Sequence, residues 1–144
     1  MPRRFNTEIK KASMQFDHVG IFVHDLPAGH RMLSALLPIA RSSEVFQDPL
    51  LLVQVQFLYD ATGVCYELVA PFGDGNPIDG VLKSRKNVLN HIAYRTPQLD
   101  AELERLRADG AFPLGPPRPA VAFGGKRVVF LMTLMNFIIE LVEV

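Results

Sequence analysis

Hydrophobic and polar positions along this chain set out one series of elements, and then the same series again. FDHVGIFVH (16–24) is short, β-branched and aromatic, and reads as a strand. Asp25 and Pro27 suit a turn into a helix over 28–37, where Met32, Leu33, Leu36 and Leu37 fall at helical spacing and Pro38 ends the run. Residues 40–46, 50–59 and 64–70 read as three further strands, with Asp48-Pro49 and Thr62-Gly63 as turn signals. VLNHIAYR (88–95) then opens a second series. A helix follows over 98–109, with Leu99, Leu103 and Leu106 on one face and Gly110 as its stop. A proline-rich stretch (113–119) and Gly124-Gly125, read as a turn rather than a phosphate loop, lead to strands at 126–133 and 136–144.

An offset of 73 residues aligns the two series without a gap. Eleven identities fall between residues 16 and 71: His18, Leu26, Ala28, Leu33, Ala35, Val55, Phe57, Leu58 and Glu67-Leu68-Val69 meet His91, Leu99, Ala101, Leu106, Ala108, Val128, Phe130, Leu131 and Glu140-Leu141-Val142. Chance at this composition gives roughly four. The expected fold is α+β, two tandem βαβββ modules (16–71 and 88–144) in one domain over 16–144. Residues 1–15 form an N-terminal extension and 72–87 a linker that could hold a short helical turn at 77–83. A module of this size cannot bury its sheet alone, so the two should pack together in one chain or exchange across a homodimer.

Composition narrows the functions. Fifteen Lys and Arg balance fifteen Asp and Glu, so the net charge is zero, which argues against nucleic acid as the main partner. Arg3, Arg4, Lys10 and Lys11 sit in an N-terminal segment without the apolar stretch of a signal peptide. No apolar run reaches the roughly 18 residues of a membrane span. Cys65 is the only cysteine, so an intrachain disulfide is ruled out and a reducing, cytoplasmic setting fits.

Four polar residues break the apolar strand pattern. Alternation puts Glu67 on the face of Cys65 and Val69, and Glu140 on the face of Ile138 and Val142. A carboxylate among such neighbours is costly unless paired or bound to a cation, and those strands carry no Lys or Arg beside it. Forty-nine residues separate His18 from Glu67, and forty-nine separate His91 from Glu140. Two modules related by a pseudo-twofold axis would bring the two His and two Glu to one point. Imidazole with carboxylate suits one first-row divalent ion: Ni, Co, Mn, Zn or Fe. Other residues carry weaker readings. Cys65 either packs in the core or approaches the site; His24 is a surface residue. Lys83, Arg85 and Lys86 are a solvated linker or a contact for a phosphate-bearing substrate. Gln54 and Gln56 either bind substrate or face solvent.

The strands DHVGIFV, LNHIAYR and IIELVE resemble those of the vicinal oxygen chelate superfamily, which includes glyoxalase I, methylmalonyl-CoA epimerase, extradiol dioxygenases and bleomycin-resistance proteins. The resemblance covers residues 16–144. It implies a curved, cup-like mixed sheet around a metal, with His18, Glu67, His91 and Glu140 on the family's ligand positions. NPIDGVLKSRKNVLNHIAY (76–94) and GGKRVVFL (124–131) resemble the methylmalonyl-CoA epimerase branch most. Two features depart from it. The epimerases carry an additional acid in the third strand, where this chain has LLVQVQFLYD; and their polar turn after the seventh strand is here the apolar FLMTLMNFIIE. The implied activity is a metal-dependent isomerase or epimerase. It moves a proton beside the carbonyl of a small-molecule substrate, an acyl-CoA thioester being one candidate, with Glu140 and Glu67 as proton-transfer groups. Three alternatives stand beside it: a glyoxalase I-like lyase, an extradiol-type dioxygenase, which the extra Glu67 disfavours, and a ligand-sequestering protein of the bleomycin-resistance kind, which the ligand quartet disfavours.

Overall fold

The computed structural model describes residue 3, residues 14–72 and residues 88–144. The expected N-terminal extension, the linker with its helical turn, and Lys83, Arg85 and Lys86 lie wholly or mostly outside these residues. The first module comprises β1 (Gln15–Phe22), α1 (Leu26–Leu36), β2 (Ile39–Asp48), β3 (Val53–Asp60) and β4 (Cys65–Pro71). The second comprises β5 (Val88–Thr96), α2 (Leu99–Ala108), β6 (Phe112–Pro113), β7 (Arg118–Pro119), a 3-10 turn at Val121–Phe123, β8 (Arg127–Met132) and β9 (Ile138–Glu143).

The strands form one mixed sheet in the order β2-β3-β4-β1-β5-β9-β8-β6, with β7 also pairing β8. Within each module the first and last strands run parallel, β1 beside β4 and β5 beside β9. The two modules join inside this chain through the antiparallel pair β1–β5. This is the expected curled sheet of two βαβββ units, with two α-helices among the described residues.

Local chemistry explains the elements. Asp25 caps α1, its side chain accepting from Ala28 N at 2.9 Å, and Pro27 sits in the first turn. The packed face of α1 differs from the expected one. Leu26 and Gly29 are buried and Leu33 packs against Val23, Leu58, Leu68 and Ala70, whereas Met32 and Leu36 are exposed. The stripe that docks is i, i+3, i+7 from Leu26, and Gly29 belongs to it because its missing side chain lets the helix approach Val23. In α2, Leu99 and Leu103 are buried and Leu106 is partly so, as the spacing predicts; Gly110 follows with φ +94°.

The second strand of the second module is reduced to the two-residue pieces β6 and β7. Pro113, Pro116, Pro117 and Pro119 remove ladder donors there, so only fragments pair with β8.

Candidate metal centre in the cup

The quartet marked in the sequence comes together. His18, Glu67, His91 and Glu140 lie one each on β1, β4, β5 and β9, the four central strands, and each offers a ligand atom within 4.8 Å of the others. All four are at least 96% buried. Strand pairing shows how. Glu67 lies opposite Gly20, which lies opposite His91; Glu140 lies opposite Ala93, which lies opposite His18. Each row crosses three strands and contains one module's Glu, a small residue, and one His. Side chains two strands apart, about 9.6 Å at the backbone, can meet only over a small middle residue. Gly20 and Ala93 are themselves 73 residues apart.

The imidazoles are held from behind. Nδ1 of His18 donates to Asp17 Oδ2 at 2.7 Å, and Nδ1 of His91 donates to Asn90 Oδ1 at 2.9 Å. Regular alternation would send residues 17 and 90 to the opposite face. Register shifts between Phe16 and His18 on β1, and between the pairs Gly20–His91 and Ile21–Leu89, leave Asp17 and Asn90 as extra residues of β-bulges. The bulges bring each acceptor round to its neighbour's ring. This fixes the tautomer with Nε2 bare and turned inward.

The inward atoms do not satisfy one another. Nε2 of His18 lies 3.3 Å from Nε2 of His91, 3.4 Å from Glu67 Oε1 and 3.0 Å from Glu140 Oε1; Nε2 of His91 lies 3.4 Å and 3.1 Å from the same two oxygens. Despite these distances Glu140 Oε1 is buried without a hydrogen-bond partner. An unsatisfied buried charged atom costs at least about 1–3 kcal/mol. Electron pairs from four groups that converge on one point are relieved by a cation, and two imidazoles with two carboxylates fit a divalent ion. Without one, the cluster holds protons. Burial opposes the charged form of His18, but the Glu67 charge, the hydrogen bond to Asp17 and the nearness of the Glu140 and Glu67 oxygens push its pKa far above the usual histidine value. Against burial, Glu140 and Glu67 raise His91 to about 9, and the two imidazoles lower Glu67 to about 2.

Aromatic rings wall the quartet. Phe123 stacks on His18 with centroids 5.8 Å apart and planes at 15°, and Phe57 meets the same ring edge-on. Phe130 and Phe22 meet His91 edge-on. Asp48 secures this wall. It is buried, accepts from the Leu50 and Leu51 amides, and accepts from Val121 N at 3.0 Å, tying the turn that carries Phe123 to the β2–β3 hairpin. A cavity of about 670 Å³ opens onto Glu67, His91 and Glu140, with a mainly apolar lining.

The remaining sequence readings resolve against this geometry. Cys65 packs with Val55, Phe57 and Val69 and does not line the cavity, and burial raises its thiol pKa. His24 is exposed, past the end of β1. Gln54 and Gln56 do not line the cavity; their amides donate to Pro71 O (3.4 Å) and Ser43 O (3.0 Å). The cavity-side residues of β3 are Val53 and Val55, with Phe57 beside His18, so neither glutamine stands in for the epimerases' third-strand acid. Gly124 and Gly125 turn at positive φ. Sequence reading missed Asp17, Asn90, Gly20 and Ala93, though the 73-residue offset aligns these similar pairs too.

Comparison with known proteins agrees with the fold. An ethylmalonyl-CoA/methylmalonyl-CoA epimerase of Cereibacter sphaeroides is 39% identical over 66 residues, 45% of this chain and 49% of that protein. The match thus spans about half of that curated relative. The crystal structure of methylmalonyl-CoA epimerase from Mycobacterium tuberculosis superposes with a TM-score of 0.77 at 25% identity, covering 94% of this chain and 92% of that one. A variant of the Streptomyces coelicolor methylmalonyl-CoA epimerase, in complex with 2-nitronate-propionyl-CoA, superposes with a TM-score of 0.75 at 24% identity, covering 92% of this chain and 95% of that one. Residues 17–130 match the sequence pattern of one family, and the chain belongs to it: the glyoxalase/bleomycin resistance protein/dioxygenase superfamily.

Proposed function

We propose that this protein is a metal-dependent epimerase or isomerase that moves a proton at the carbon beside the carbonyl of an acyl-CoA thioester. The observation that carries this reading is the buried quartet with its unsatisfied Glu140 oxygen. The names of the matched relatives support the thioester class. His18, Glu67, His91 and Glu140 would hold the ion; its chemistry is that of a Lewis acid, which lowers the cost of the negative charge left when the proton departs.

The chain's own groups do the rest. Glu67 and Glu140 are the only carboxylates of the quartet, and one or both take the proton from the carbon and return it. Burial of both in a cavity walled by Phe22, Phe123 and Phe130 keeps bulk water from the carbanion. Asp17 and Asn90 hold the imidazoles in the ligating tautomer. The apolar β3 wall favours a second reading, a glyoxalase I-like lyase whose only proton-transfer groups are the two glutamates. Among the described residues no helix is long and apolar enough to cross a membrane, and a homodimer is the assembly we propose.

The deciding experiment incubates metal-loaded protein in deuterium oxide with a panel of acyl-CoA thioesters and 2-oxo thiol adducts. Deuterium entering at the carbon beside the thioester carbonyl supports the epimerase reading. Turnover of the thiol adducts alone supports the lyase. Exchange on neither overturns both.

A further inference from the structure

Among the described residues four arginines lie in strands. Arg41 stacks on Tyr59 at 4.0 Å, Arg95 donates to Asp17 Oδ1 at 3.0 Å, and Arg127 pairs with Glu143 and Asp100. The fourth, Arg118 of β7, has no ion pair or hydrogen-bond partner for its side chain among the described residues, is exposed, and is the one lysine or arginine in the described lining of the cavity. The other titratable lining residues are Asp48, Glu67, His91 and Glu140, and the last three belong to the quartet.

Strand pairing fixes where Arg118 stands. It lies opposite Val128, a buried cavity residue, and Val128 lies opposite Val142 on β9. Opposed residues share a face, so Arg118 is on the concave side. Glu140 is two residues along β9 from Val142. With strands about 4.8 Å apart and a rise of about 3.4 Å per residue, the Cα atoms of Arg118 and Glu140 are about 12 Å apart. The backbone there is stiff. Pro119 restricts residue 118 to extended conformations, and Pro116 and Pro117 precede it. Arg118 thus stands on a stiff backbone in the lining of an apolar cup, its Cα well away from the quartet, with no ion-pair or hydrogen-bond partner among the described residues.

We propose that Arg118 is a substrate-positioning residue that binds an anionic group, carboxylate or phosphate, carried by the substrate remote from the carbon whose proton moves. A planar guanidinium suits either anion, through two parallel donors. The inference rests on the acyl-CoA reading and assigns this residue its share of recognition.

Three probes separate the sources by calorimetric titration of the metal-loaded full chain. Propionyl-CoA carries phosphates but no acyl carboxylate, methylmalonyl-pantetheine carries the carboxylate but no phosphate, and propionyl-pantetheine carries neither. Arg118→Ala should weaken one of the two anionic probes about tenfold, leave the neutral probe unchanged, and recover most of the loss as Arg118→Lys. The probe affected names the anion. Arg107→Ala, which removes an exposed charge on α2, should weaken none of them. The proposal is overturned if wild-type protein binds the probes but Arg118→Ala weakens none, weakens all three alike, or is matched by Arg107→Ala. If wild-type protein binds none of the three, the acyl-CoA reading itself fails and takes the assignment with it.

Discussion

Gly20 lies opposite His91 across the central β1–β5 pair, and the imidazole occupies the space where a side chain at residue 20 would begin. A Cβ there would overlap the ring itself, so the His91 ring has to move when one is added. Gly20→Ala should therefore displace His91 and lower divalent-metal affinity at least tenfold, while overpacking costs about 1–3 kcal/mol of stability. Metal titration against a chelating indicator, beside a thermal melt, checks both. Unchanged affinity would mean that His91 is not a ligand.

Asp17 and Asn90 make the same hydrogen bond with different chemistry, one through a charged oxygen and one through a neutral amide. Asn90 shows that a neutral acceptor serves, so Asp17→Asn should keep metal affinity within a few-fold. Asp17→Ala, which removes the acceptor, should weaken it about 10–100-fold. Equal affinity in all three proteins would show that the bulge acceptors do not orient the imidazoles.

How much of this was legible beforehand divides along physical lines. The modules and the quartet could be read because a long-period repeat preserves side-chain identity at Leu26/Leu99, Val55/Val128 and Glu67/Glu140, the positions that must pack or ligate. The bulge residues could not be read. Period-2 alternation places Asp17 on the face away from His18, and only the inserted residue in the β1–β5 register reverses that. The α1 stripe departs from the apolar spacing because Met32 and Leu36 are exposed, while the docking position between Leu26 and Leu33 is a glycine. The second strand of the second module was broken by prolines whose local effect outweighed the repeat.

Metal binding should release protons. In metal-free protein the quartet holds His91 at about 9 and His18 higher still, and both imidazoles must be neutral to ligate. Apparent affinity therefore rises with pH through this range. The stability of metal-free protein moves oppositely. A histidine raised from its ordinary 6.5 to about 9 contributes stability that is complete below pH 6.5 and lost as pH rises through 9. Melting temperatures of metal-free protein should fall from pH 6.5 to 9.5, while saturating metal should abolish the fall. A metal-free melt flat across that window would show that the cluster holds no such protons.

Glu67 and Glu140 are related by the 73-residue offset, yet the quartet does not treat them alike. Glu140 Oε1 approaches the two imidazoles at 3.0 and 3.1 Å, Glu67 Oε1 only at 3.4 Å from each. Glu140 is thus the tighter member of the cluster, although both carboxylates are buried and both line the cavity. Replacing either by glutamine keeps an oxygen that can ligate but removes the base. If both move the proton, one on each side of the carbon, Glu140→Gln and Glu67→Gln should each lower turnover about 100-fold or more at saturating metal and substrate. If one carboxylate does all the work, only its variant should lose deuterium exchange, and the other should show only weakened metal binding. The chain has no acid on the β3 wall to rescue the loss, since Val53, Val55 and Phe57 hold those positions. Full exchange by Glu140→Gln with metal bound would remove Glu140 from proton transfer and leave it a ligand alone.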